Sequence, residues 1–203
     1  MNYECSKCKT YGLKYERRYK PSDFLAGKRD SLILIVGLNP KGGLDKKSKI
    51  GIKELKNYFD GNIPPYFRDF RKVSEKLYNL FGKDKGVAHT DIVKCSSYRF
   101  PPKNCKGKEA KIIVNNCKEY LEKQIKNFHP KIVICNGSLV SKMIKRIIKP
   151  QTNYVTSYIG SFDGNEIAVI LSGFIGRIDN YAKLRLGKEI ESYMERYEIG
   201  RSV

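Results

Sequence analysis

The sequence predicts an α/β domain on a mostly parallel sheet, and three observations carry that prediction. Short runs of Ile, Val and Leu alternate with stretches whose apolar residues recur every three or four positions. The loops leaving the apolar runs are rich in Gly, Asn, Ser and Pro, as turns between strand and helix require. No apolar run reaches eighteen residues, and the longest, "LILIVGL", is strand-sized. At 203 residues the chain is one domain, residues 31–203, with a cysteine-bearing N-terminal arm, residues 1–30, packed on it. That length buries a core without help from disulfides or metal.

Taken in order, "SLILIV" (31–36) is a buried strand that ends in the loop "GLNPKGG". Lys41, Lys46, Lys47, Lys49, Lys53 and Lys56 then surround a short amphipathic piece, "IGIKELKNYF". After "NIPP", the stripe Phe67, Phe70, Val73 and Leu77 predicts a helix over 66–81. "AHTDIVK" (88–94) is a second strand, and Pro101-Pro102 make 95–108 an irregular basic loop. A helix is expected over about 109–127, with Ile113, Cys117, Leu121 and Ile125 along one face. "PKIVIC" (130–135) is a third strand and "NGSLVSKMIKRII" a turn into a basic helix. A strand pair occupies 154–171, ending in "EIAVIL", and residues 179–197 form a last amphipathic helix with Asp or Asn near its N-cap.

Charge narrows the function. Forty Lys and Arg against twenty-one Asp and Glu leave +19, a strong attraction for a polyanion. Two glutamines, no tryptophan and abundant Lys and Ile also fit a thermophile's surface. Such surfaces pair Lys with Glu, however, and here bases are nearly double the acids. The N-terminus lacks a secretory pattern and no apolar run is long enough to span a membrane, so the expected setting is cytoplasmic and the expected partner a nucleic acid, bound by a monomer.

Six cysteines in such a protein favour metal or redox chemistry over disulfides. Cys5-x-x-Cys8 supplies half of a tetrahedral sulfur site, and four thiolates suit zinc or an iron–sulfur cluster equally well. Cys117, on an apolar helix stripe, also reads as a core cysteine, and Cys135 sits inside a buried strand. The motifs "GLNP", "KCSS", "CNGS" and "LSGF" each leave the carboxyl end of a strand, where an open α/β sheet forms its ligand crevice.

The order Cys5-x-x-Cys8, "LILIVGLNP", "TDIVKC", "NNCKEYLEKQIKNFHPKIVICNGSLVSKMI" and "VILSGFIGRIDNYAKLRLGKEI" resembles the uracil-DNA glycosylase superfamily, and within it the iron–sulfur branch often called family 4. The resemblance runs from residue 5 to about 195. It implies a three-layer α/β/α single domain with a central, mostly parallel four-stranded sheet. It also implies hydrolysis of the bond between sugar and an extruded uracil or other damaged base, with a structural [4Fe–4S] cluster on Cys5, Cys8, Cys95 and Cys117. Cys105 is the rival fourth ligand, and zinc the rival metal. The resemblance makes "GLNP" the water-activating motif, with Asn39 orienting the water and Gly37 and Leu38 binding the base. That is reasonable where an oxocarbenium-like sugar forms before water attacks. Phe67, chosen over Tyr66, would stack on the base, and Lys41 would approach a phosphate.

The chain departs from that pattern twice. Relatives read uracil with an Asn at the end of strand two, where this sequence has Asp91. An ionised carboxylate only accepts hydrogen bonds. It suits an exocyclic amino group; held protonated by burial, Asp91 would instead mimic the amide. The last loop of many relatives carries a His that stabilises the departing base. Here Ser172-Gly173-Phe174 takes its place, so Ser172 is the expected donor, and His89, inside strand two, is set aside. Arg177 would grip phosphate, with Lys183 and Arg185 behind it. Two further readings remain at this point: a nucleic-acid-binding relative that no longer excises uracil, and a zinc-bearing nucleic-acid module on the same scaffold.

Overall fold

The computed structural model describes residues 2–40, 50–103, 105–152 and 155–200. Eight strands and seven α-helices occur among them. In chain order they are β1 (Tyr3–Cys5), β2 (Tyr15–Arg17), β3 (Ile33–Gly37), α1 (Ile52–Lys56), α2 (Pro65–Arg68), α3 (Glu75–Tyr78) and β4 (Val87–Asp91). There follow α4 (Gly107–Asn116), α5 (Lys118–Phe128), β5 (Ile132–Asn136), α6 (Ser138–Ile147), β6 (Lys149–Pro150), β7 (Ser157–Phe162), β8 (Asn165–Ser172) and α7 (Asn180–Arg196).

The expected parallel core is present as β4-β3-β5-β8. The sheet is wider than the four strands implied by the resemblance, because β7 and β6 extend it antiparallel beyond β8. Every residue of β3, β4 and β5 is buried, so both faces of the sheet are covered. That double burial is why these strands read as nearly unbroken apolar runs. Four strands pointing one way gather Gly37, Asp91, Asn136 and Ser172 along a single sheet edge.

The arm belongs to this core. β1 and β2 form a small antiparallel sheet, and Leu13, Tyr15, Tyr19 and Leu25 are buried in the central cluster. Ala26 exchanges two backbone hydrogen bonds of 2.8 Å with His89, blocking the outer edge of β4.

Two expected helices are broken. The 66–81 segment is α2, a 3-10 turn and α3, because Ser74 turns extended and caps α3 by accepting from the Leu77 amide. The break fits α7: a Cβ on Gly187 would stand 1.8 Å from the Val73 carbonyl oxygen, and the Ser74 hydroxyl donates to Glu191 at 2.6 Å. The 109–127 segment divides into α4 and α5 at Cys117. No helix among the described residues is long and apolar enough to cross a membrane.

Candidate active site

A cleft of about 930 Å³ opens at the carboxyl ends of the parallel strands. Leu38 and Asn39 enter from the β3 loop, His89 and Asp91 from β4, and Asn136 from β5. Tyr66 and Phe67 of α2, Gly173, Phe174 and Arg177 of the last loop, and Ser97 to Phe100 complete the wall.

Gly37 closes β3 directly opposite Asp91, and the pair explains the missing side chain. A Cβ at position 37 would lie 2.3 Å from Asp91 Oδ1 and 3.0 Å from His89 Nε2. Asn39 is held by the loop after β4, its Nδ2 donating to Ser97 Oγ at 2.9 Å. Ser97 N in turn donates to the Pro40 carbonyl at 3.1 Å, so the two loops brace one another.

Phe67 is 2% exposed, edge-on to Phe59, Tyr66 and His89 at 4.8–4.9 Å, and so forms the floor of the cleft. Tyr66 is 39% exposed and stands across from Phe174 at 6.2 Å between ring centres. Its hydroxyl accepts from Asn136 Nδ2 at 2.8 Å, while Asn136 Oδ1 takes the Ile175 amide at 2.8 Å. Asn136 therefore ties α2 to the last loop. Burial, and then the charge of Asp91, push the Tyr66 phenol well above its ordinary range, so it stays protonated.

Several expected residues are elsewhere. Ser172 does not line the cleft: it pairs with Asn136 in the sheet, and its carbonyl accepts from Gly137 N and Ser141 Oγ. Lys183 is 7% exposed, because the inward stripe of α7 runs through Lys183, Leu186, Gly187, Ile190 and Met194. That burial removes it from the expected phosphate surface. Arg185 is exposed on α7 outside the cleft, and Arg177 is exposed on its wall. Lys41 lies outside the described residues.

The sequence reasoning missed His89 and Asn136, and passed over Tyr66. His89 and Asn136 each had a signal. His89 and Asp91 are two apart in a strand and share a face, while Asn136 is a polar residue ending an apolar strand.

The cysteines behind this edge also have an order. Cys8, Cys95 and Cys117 are buried and Cys5 half-buried. Burial chiefly raises the Cys95 thiol far above its usual value, and Cys117, Cys8 and Cys5 add to it. Burial likewise raises Cys117, which the Lys94 backbone amide opposes by donating to it, while Cys8 and Cys5 push upward. Cys8 accepts from Asn116 Nδ2 at 3.4 Å, and Cys5 lies 3.7 Å from the Tyr120 hydroxyl. Cys105 turns instead toward the Tyr11 carbonyl at 4.0 Å, and Cys135 is sealed in β5. Among the described residues, no three or more His, Cys, Asp or Glu side chains are spaced to hold a metal ion.

Between the two regions lies Lys94, 1% exposed, whose ammonium donates to Thr90 Oγ1 at 2.9 Å, Gln124 Oε1 at 2.6 Å and the Asp91 carbonyl. Burial draws its pKa down to about 8, opposed by Cys117 and Asp91. The ammonium fastens the last turn of β4 to α5.

The family model described as the uracil DNA glycosylase superfamily matches residues 24–183. No curated protein matches the chain.

Proposed function

The chain belongs to the uracil DNA glycosylase superfamily, and on that premise we propose that it hydrolyses the N-glycosidic bond of uracil or another deaminated or damaged base in DNA. The observation that carries this reading is the cleft, which sets Asn39, Tyr66, Asp91 and Arg177 around one space at the strand ends. Its volume of about 930 Å³ admits a nucleotide taken out of the stack.

In this reading the extruded base enters over the Phe67 floor and stacks on Tyr66, which takes the part first given to Phe67. Asp91 meets the base edge, while Arg99 and Arg177, both exposed on the wall, bind phosphates. The Asn39 amide nitrogen is committed to Ser97, which leaves Oδ1 to accept from a water and aim it at the sugar. The C1′–N bond breaks and its electron pair stays on the base. The water oxygen bonds to C1′, its proton passes to solvent, and the departing base takes up a proton. The products are an abasic site and a free base.

Cys5, Cys8, Cys95 and Cys117 are the residues that would hold a [4Fe–4S] cluster. Their mutual influence and the separate setting of Cys105 support this set. Four thiolates suit a [4Fe–4S] cluster, with zinc the rival metal. Such a centre supplies cross-links rather than bond cleavage. Its ligands join the arm, the loop after β4 and the α4–α5 corner.

The position of Ser172 outside the cleft favours one alternative, a relative that binds DNA without excising uracil. Oligonucleotides each carrying one uracil, hypoxanthine, xanthine or mismatched cytosine separate the two readings. Strand scission by alkali after incubation supports the glycosylase. Binding without scission at any base supports the alternative.

A further inference from the structure

The mouth of the cleft gathers exposed aromatic rings. Five aromatic side chains are exposed among the described residues, and three of them, Tyr66, Tyr98 and Phe174, line this one cleft. Tyr66 has its part in base stacking; Tyr98 and Phe174 have none so far. Tyr98 is 79% exposed and Phe174 41%. An exposed arginine on the same loop accompanies each ring, Arg99 next to Tyr98 and Arg177 three residues after Phe174.

The loops hold both rings in place. Before Tyr98, the Ser96 hydroxyl accepts from the buried Arg17 guanidinium at 2.6 Å, and Ser97 N donates to the Pro40 carbonyl at 3.1 Å. Ser97 Oγ then donates past Tyr98 to the Arg99 carbonyl at 2.9 Å. The backbone is fastened on either side of Tyr98, and its ring is left in solvent. On the other loop, Asn136 Oδ1 takes the Ile175 amide at 2.8 Å, and the Phe174 carbonyl accepts from Arg177 N at 2.8 Å. Exposed rings fixed beside guanidinium groups have the make-up of a stacking platform for unpaired bases.

Spacing selects the kind of strand. The two loops leave β4 and β8, the outer members of the parallel four, β4-β3-β5-β8. Three ladder spacings of about 4.8 Å put those strands about 14 Å apart. Taking one nucleotide out of a stacked strand leaves about 6.8 Å between its neighbours, two steps of about 3.4 Å. Rings about 14 Å apart cannot share that gap. They meet both neighbours only where the strand is unpaired and free to stretch. We propose that Tyr98 with Arg99, and Phe174 with Arg177, are stacking subsites for the nucleotides on either side of the extruded one, so that the cleft takes an unpaired strand in preference to a duplex. Each ring lies on the face of one flanking base, and the arginine on its loop meets a phosphate of that nucleotide.

The inference rests on the glycosylase reading for the extruded nucleotide, and binding measured beside excision separates the failure of each. Fluorescence anisotropy is read with short oligonucleotides carrying one central uracil, single-stranded and in duplex. Tyr98→Ala should weaken single-strand binding by about 5- to 150-fold and leave duplex binding unchanged, while Tyr98→Phe keeps the wild-type affinity. An abasic spacer in place of the nucleotide on one side of the uracil should weaken wild-type binding by the same factor, with no further loss on adding Tyr98→Ala. The spacer on the other side should pair in the same way with Phe174→Ala. Equal losses with single strand and duplex, or a Tyr98→Ala loss that persists in full with either spacer, overturn the subsites. If the wild-type protein binds and excises from duplex as well as from single strand, the glycosylase reading stands and this inference falls. If the expected binding pattern comes without scission at any base, the subsites stand and the glycosylase reading falls.

Discussion

Replacing Gly37 by alanine tests the cleft at its tightest point. The new Cβ would lie 2.3 Å from Asp91 Oδ1, whereas carbon and oxygen in close contact stand about 3.3 Å apart. The carboxylate must therefore retreat by about 1 Å. Gly37 lies in a regular parallel strand, so alanine has no backbone strain to overcome, and the stiffer unfolded chain stabilises by about 0.4–1 kcal/mol. Crowding costs about 1–3 kcal/mol in a packed core, at the low end here because the atom displaced ends a side chain. The two nearly cancel, and the unfolding free energy should change by less than about 2 kcal/mol. Activity should not be spared: a 1 Å misplacement costs about 100-fold, or about 2.7 kcal/mol in the barrier. Single-turnover excision measured beside urea unfolding reads both quantities. A Gly37→Ala protein that folds and excises uracil at the wild-type rate refutes the claim that Asp91 meets the base.

Other consequences are independent of that one. Tyr66→Ala should weaken binding of an extruded base by about 1–3 kcal/mol with modest effect on folding. Phe67→Ala should instead cost about 3–5 kcal/mol of stability, and the reverse pattern would return the stacking role to Phe67. Anaerobically purified Cys117→Ser should lose bound iron while Cys105→Ser keeps it; iron analysis and absorption near 400 nm decide, and the opposite result overturns the ligand set. Affinity for undamaged DNA should fall steeply as salt rises from 50 to 200 mM, by about 10³-fold if six phosphates are neutralised. A flat response would detach the +19 charge from DNA binding.

The sheet was legible because strands buried on both faces cannot hide: "LILIVG" and "IVICN" have no polar residue until they reach the cleft. The breaks in the helices were not, because the apolar stripe continues through Ser74 and Cys117 without a change of period. What stands at Ser74 is a contact with Gly187, more than a hundred residues away. Lys183 was misplaced for a related reason. Its charge was read as surface, although its spacing from Leu186 and Ile190 puts it on the inward stripe. The Cys5-x-x-Cys8 pair announced itself by spacing, whereas Cys117 is preferred to Cys105 through the resemblance of the helix start "CKEYLEKQI". His89 was set aside as strand interior. A strand end that reaches a cleft is interior and site at once, and the two-residue alternation with Asp91 marked it.

The most direct measurement is chemical: incubate the protein with uracil-bearing DNA in heavy-oxygen water, then identify what leaves and where the label sits. The account predicts intact free uracil, with the heavy oxygen on C1′ of the sugar left behind. Label on phosphate, or DNA recovered whole after saturation with protein, would contradict it.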